Sequence, residues 1–200
     1  TCGVDVRGAA PGTRETDLLD PVNTVQKVHA VVLSGGSAFG LESTCGVSQY
    51  LEERNIGFES GPCKVPIVVG AVLFDLAVGN YKIRPDKKMG YEACLNASET
   101  ELKQGNYGAG CGASVGKLRG AEYVTKSGIG SYSIKLDNEI VVSALVAVNA
   151  LGDVYENGEV IAGALNDNKT KCLNSYELMK QGVTKGGFSI DTVSYTHLRA

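Results

Sequence analysis

Histidine is scarce: His29 and His197 are the only two in 200 residues. A His-rich metal site is therefore excluded, and so is a serine triad that takes its base from a nearby imidazole. Cysteine is present but never clustered. Cys2, Cys45, Cys63, Cys94, Cys111 and Cys172 form no C-x-x-C pair, which speaks against both a zinc site and a compact disulfide framework. They are expected to be buried free thiols in a reducing cytoplasm. No apolar run approaches the ~20 residues that span a bilayer, and no basic segment leads into a hydrophobic one. A soluble, cytoplasmic protein without a membrane partner is expected. Basic clustering is also missing: the formal charge is -3 and no Lys/Arg stripe occurs, so nucleic acid is not an expected partner. The chain opens on Thr1 rather than methionine and stops after Ala200 without punctuation, and it reads as a fragment truncated at both ends.

What is abundant is glycine, 26 residues, about twice the number that an average usage near ~7% would give. Such an excess predicts tight turns and close backbone approaches. With 43% hydrophobic and 20% charged residues the chain can bury a core as one globular domain. Arg7 to Asp17 is turn-rich and polar and reads as an ordered loop. Val28 to Leu33 reads as a strand, Ser34-Gly-Gly as a turn, and Ala38 to Asn55 as a helix with apolar spacing at Phe39, Leu41, Val47, Tyr50 and Leu51. Val65 to Val69 predicts a buried strand and Tyr91 to Lys103 a second helix. After the glycine-rich stretch Gly105 to Gly116, strands are expected at Ile129 to Leu136, Ile140 to Val148, Val154-Tyr155 and Val160 to Ala164, forming a meander. Asp137-Asn138 and Glu156-Asn157-Gly158 supply the turn signals for antiparallel hairpins. Helices early and hairpins late predict an α+β fold.

Several motifs fall short of the chemistry they suggest. Ser37 stands between a strand and a helix, but Phe39 occupies the second position after it, where a nucleophile elbow needs glycine. It reads as a structural or substrate-lining residue. His29, between Val28 and Ala30, reads as a satisfied core histidine. Gly108-Ala-Gly-Cys-Gly-Ala113 fits G-x-G-x-x-A, yet the polar Thr100 to Gly105 before it is no buried strand, so a dinucleotide site lacks its context. Lys117 ends this run, where it either is a solvated lysine or orients a carbonyl and tunes a neighbouring amine. Asn149 ends an apolar strand, where it either caps the turn before Gly152-Asp153 or donates to a developing oxyanion.

Gly3-Val-Asp-Val-Arg-Gly-Ala-Ala-Pro-Gly-Thr-Arg-Glu-Thr-Asp-Leu-Leu19 closely resembles the signature of the L-aminopeptidase/D-esterase and β-peptidyl aminopeptidase family of self-cleaving N-terminal-nucleophile hydrolases. Three further stretches do so in the same order. They are Val31-Val-Leu-Ser-Gly-Gly-Ser-Ala-Phe-Gly-Leu41, Val65-Pro-Ile-Val68 with Val72-Leu-Phe-Asp75, and Gly105-Asn-Tyr-Gly-Ala-Gly-Cys-Gly-Ala-Ser-Val-Gly-Lys117. The similarity extends from the first residue to about Thr192.

The resemblance implies an α+β, αββα four-layer sandwich made as one precursor that cuts itself into two chains and assembles as a homo-oligomer. Residues 1–191 would be the α-chain part of a single catalytic domain, with its N-terminus missing. Residues 192–193 would begin the β-chain, and 194–200, which do not resemble the family, would be a non-native tail. The implied substrates are small peptides, amides or esters, and no cofactor or metal is implied. By the same resemblance Thr192 is the nucleophile freed by cleavage after Asp191, Asn149 the oxyanion donor and Lys117 the residue beside the threonine. A threonine whose own α-amine serves as base needs no histidine. The fragment by itself is expected to be inactive, because the second chain supplies further catalytic groups. Two alternatives stand beside this reading: acyl transfer of the ornithine-acetyltransferase kind, and a non-catalytic relative that binds a small molecule.

Overall fold

The computed structural model describes residues 2–8, 10–99, 102–183 and, by backbone alone, 194–199. These fall into two compact units, one holding most of residues 2–99, the other Ala77–Gly79 with 102–183.

The first unit contains β1 (Gly3–Gly8), β2 (Thr13–Arg14), β3 (Ala30–Ser34), α1 (Ser43–Glu52), β4 (Phe58–Glu59), β5 (Lys64–Val65), β6 (Val68–Val72) and α2 (Lys87–Leu95). Its centre is a three-stranded sheet in the order β2-β6-β3. β6 runs antiparallel to β2 and parallel to β3, with Ala30 opposite Val68 and Ser34 opposite Val72. A parallel pair needs a crossover, and the chain between β3 and β6 supplies it with α1. From Val68 to Ala71 every residue of β6 is buried, as expected of a strand covered on both faces. Val47 and Leu51, one helical turn apart on α1, pack with Val68, and Ala30, Val32, Tyr50 and Cys94 close around them. Each such aliphatic side chain removed from water stabilises the fold by about 1.5–3 kcal/mol.

The helical stretch expected over Ala38 to Asn55 is a 3-10 turn at Ser37–Glu42 running into α1. Gly36 stands there in the left-handed region (φ 82°) and Ser37 beside it (φ 54°). The second helix lies earlier than expected, at Lys87–Leu95 rather than Tyr91 to Lys103. The Asp86 carboxylate caps it by accepting the Met89 N–H at 2.8 Å, and Asn96 ends it. The loop expected over Arg7 to Asp17 carries the end of β1 and all of β2. Arg14 there donates to Thr44 Oγ1 at 2.7 Å, joining the loop to α1.

The second unit holds β7 (Ser114–Val115), β8 (Thr125–Lys126), β9 (Ile129–Lys135), β10 (Val141–Ala147), β11 (Val154–Glu156), β12 (Glu159–Ala162) and α3 (Ser175–Lys180). The pairs β9–β10 and β11–β12 are antiparallel, as their turn signals predict. Asn157 and Gly158 take positive φ in the second turn. The expected meander is instead two separate hairpins. The reason lies in residues 151–152, whose carbonyls accept the N–H groups of Lys117 and Gly116 and so draw the chain away from β10. The β9–β10 hairpin is exposed on both faces, with Tyr132 72% and Val142 57% accessible on one and Val141 58% and Leu145 46% on the other. The polar stretch after Asn166 carries α3, capped by Asn174 accepting the Glu177 N–H at 3.1 Å.

Strand β13 (Ser194–Arg199) pairs antiparallel with β1, Gly3 opposite Arg199 and Gly8 opposite Ser194. Small sheets with three short helices among the described residues are compatible with an α+β fold. The cysteines depart from expectation: all six are free, but Cys63 and Cys111 are exposed and the other four only half-buried. Short strands and tight turns leave few fully enclosed positions, and those go mainly to valine, leucine and alanine.

Candidate active site

The glycine-rich stretch begins as a bridge to β9: the Gly105 N–H donates to the Ile129 carbonyl at 2.8 Å, and the Ile129 N–H returns the bond at 2.9 Å. A 3-10 turn follows at Gly108–Cys111, then β7, with Ala113 and Val115 fully buried. After β7 comes a 3-10 turn at Lys117–Arg119. Gly116, between them, adopts φ 71° and ψ 44°, a left-handed conformation that disfavours any side chain. Its N–H donates to Gly152 O, and that of Lys117 to Leu151 O, both at 2.8 Å. These bonds bring the end of the glycine run alongside the chain just past Asn149.

Lys117 and Asn149, 32 residues apart, meet directly. The half-buried Lys117 Nζ donates to the Asn149 main-chain carbonyl at 2.8 Å. The Asn149 Oδ1 accepts the Ser114 N–H at 3.1 Å. Because an amide nitrogen cannot accept that proton, the bond fixes the side-chain orientation, with the NH2 donors turned away from Ser114. Both Asn149 oxygens are thus held, Oδ1 by the Ser114 N–H and the main-chain carbonyl by Lys117.

Around this pair lie groups the sequence did not announce. Lys126 Nζ donates to Gly110 O at 2.7 Å and to Ala113 O and Ser127 O at 2.9 Å. Asp153 accepts the N–H and the hydroxyl of Ser175, both at 2.5 Å, and the Ala164 N–H at 3.3 Å, tying the start of α3 to the segment that carries Asn149. Thr125 Oγ1 donates to Gly163 O at 2.6 Å. Main-chain partners have no residue signature, so no motif could have pointed to Lys126. Asp153 carried only a turn signal.

Other sequence candidates take structural places. The half-buried His29 accepts the Ile67 N–H on Nδ1 at 3.1 Å. The N–H of Ser37 donates to Leu73 O at 2.8 Å, and that of Gly36 to Asp75 Oδ1 at 2.7 Å, so the turn is held by main-chain and carboxylate bonds. Thr192 lies outside the described residues. Among the described residues, no three of His, Cys, Asp and Glu are grouped so as to hold a metal ion, and no helix is long and apolar enough to cross a membrane.

Comparison with known proteins agrees with the resemblance. An uncharacterized aminopeptidase of Mycobacterium leprae is 46% identical, the match covering 76% of this chain and 42% of that protein. A protein of the same description from Mycobacterium tuberculosis matches equally, at 46% with the same coverage. The 6-aminohexanoate-oligomer endohydrolase of Agromyces is 33% identical over 68% of this chain and 38% of its own length. The chain thus spans about two fifths of the curated relatives it matches. The model of peptidase family S58 matches residues 1–190, and the chain belongs to that family.

Proposed function

We propose that the protein to which this chain belongs is a self-processing aminopeptidase or amidase that works through an N-terminal threonine and an acyl-enzyme. The observation that carries the reading is the Asn149 amide, whose Oδ1 is held by the Ser114 N–H and whose main-chain carbonyl takes the Lys117 ammonium. Such a preset donor suits a developing oxyanion. Thr192 Oγ attacks the Asp191 carbonyl carbon, the C–N bond breaks, and the acyl group passes from nitrogen to oxygen. Water then hydrolyses the ester, giving the Asp191 carboxylate and a free Thr192 amine. That amine, with an ordinary pKa of about 7.7–8.0, takes the hydroxyl proton when the same oxygen attacks a substrate carbonyl. The leaving amine departs, and water releases the acyl product.

The substrate class is a short peptide, amide or ester, and the similarity to a 6-aminohexanoate-oligomer endohydrolase supports including amide oligomers. The αββα sandwich belongs to the assembled protein. In favour of it are the bare apolar faces of β9 and β10, which need further layers to leave water. We assign it to the cytoplasm, as a homo-oligomer.

The test is the intact mass and N-terminal sequence of the full-length protein after incubation. Two chains, the second beginning at Thr192, are expected, and Thr192→Ala should leave one. Turnover should rise with pH through about 7.7–8.0 as the amine becomes neutral. A wild-type protein that stays a single chain overturns the reading.

A further inference from the structure

We infer that Lys126 is a positioning residue for the Asn149 amide, acting through the one peptide plane that joins Ala113 to Ser114. The inference rests on the assignment of Asn149 as oxyanion donor. A trans peptide is a rigid plate, so where its oxygen points decides where its N–H points. At the oxygen end of this plate stand the Lys126 ammonium at 2.9 Å and the Ser127 N–H at 3.0 Å. At the other end, the Ser114 N–H meets Asn149 Oδ1 at 3.1 Å. Lys126 therefore holds one edge of the group whose opposite edge holds Asn149.

The same ammonium reaches Gly110 O, inside the 3-10 turn of the glycine loop, and Ser127 O, just past β8. It fixes the plate against both neighbours. A cation on the carbonyl oxygen also polarises the amide and strengthens its N–H as a donor, as chained hydrogen bonds do. Residue type matters here. Three carbonyls converge on one point, which suits the compact three-proton ammonium and not the flat fork of arginine. A lysine kept only for solubility has no use for three main-chain oxygens.

The test uses the full-length protein and a peptide p-nitroanilide. Lys126→Met should lower kcat by roughly 10- to 100-fold with KM nearly unchanged, a fraction of the loss from removing an oxyanion donor outright. Lys126→Arg should recover only part of it. On an Asn149→Ala background, Lys126→Met should cost nothing further, because the group it positions is gone. An undiminished loss on that background overturns the inference.

Amide hydrogen exchange provides a second readout that does not depend on activity. In Lys126→Met, Ser114 should exchange faster by about tenfold or more, while Gly116 and Lys117, bonded to residues 151–152, keep wild-type protection. Unchanged Ser114 exchange sinks the inference whatever the kinetics. A wild-type protein that neither cleaves itself nor turns over would instead sink the proposed function, leaving the exchange result to judge Lys126. Should Lys126→Met not fold, Lys126→Arg is read in both assays, with the same outcomes deciding.

Discussion

Replacing Gly116 with alanine tests whether the end of the glycine run is held by a close backbone approach. Its φ of 71° places an L-residue in the left-handed region, at a cost of about 1–2 kcal/mol. The added methyl would also lie 1.9 Å from the Ala164 nitrogen and 2.0 Å from the Gly163 carbonyl carbon, where ordinary contact begins at 3.4 Å. The opposing chain cannot easily yield: Ala164 is fully buried, Thr125 holds Gly163 O, and the Leu165 N–H donates to Tyr123 O at 2.7 Å. Overpacking of this kind adds roughly 1–3 kcal/mol, giving about 2–5 kcal/mol in all, a large share of a domain's ~5–15 kcal/mol. Gly158→Ala is the control, with φ 86° and nothing within 4 Å of its added methyl, so it should lose the backbone part alone. Urea unfolding midpoints at constant m-value report both. Equal losses for the two variants, or a Gly116→Ala loss under about 1 kcal/mol, would refute the close-approach argument.

Two further predictions concern the first unit. Gly46 of α1 and Gly90 of α2 each stand where an added methyl would meet main-chain oxygen, Lys87 O and Ser43 O respectively, at 1.9 Å. Alanine at either should force the helices apart and cost about 1–3 kcal/mol. The double variant should lose less than the sum, because the first separation makes room for the second methyl, and strict additivity in thermal unfolding would count against this. Tyr91→Phe removes the hydroxyl that donates to Glu53 Oε2 at 2.5 Å. That bond holds the Glu53 carboxyl below its ordinary range and the Tyr91 phenol above its own. The Glu53 contribution is present above its unfolded pKa and lost as pH falls through the depressed folded one. The Tyr91 contribution is present below the unfolded value near ~10 and lost as pH rises through the raised one. The stability gap between wild type and Tyr91→Phe should therefore narrow at both extremes, and a gap constant from acid to alkaline pH in urea titrations would refute it.

Sequence pattern located the two late hairpins and their turns, because those depend on local signals, but not β7 or β8, the short strands that carry Ser114 and Lys126. The hairpin turns were legible in Asp137-Asn138 and in Glu156-Asn157-Gly158, and Asn149 was legible as the residue just past an apolar strand. The glycine excess correctly foretold close approaches, at Gly46, Gly90 and Gly116. Where a cap competed with apolar periodicity, the cap won. Asp86 starts α2 four residues before the first residue of the expected helix, and Asn96 stops it. The separation of the two late hairpins was illegible for a different reason: it depends on main-chain N–H bonds from Gly116 and Lys117, which leave no side-chain signature.

The same reasoning explains why Lys117 and Asn149 were legible as residues but not as a pair. Lys117 binds the main-chain carbonyl of Asn149, and the Asn149 side chain binds a main-chain N–H. Neither bond depends on the identity of the partner's side chain, so no spacing rule connects the two positions. What brings them together is the backbone path of β7 against residues 151–152, and that path turns on the left-handed Gly116. Lys126 and Asp153 work in a similar way, through carbonyls in the first case and largely through N–H groups in the second. A site built on main-chain partners keeps its geometry through many side-chain substitutions around it, and is exposed chiefly at the few positions where conformation or charge has no substitute. Gly116 and Lys126 are two such positions, one fixing where the chain can pass and the other how the Ala113–Ser114 plane is turned.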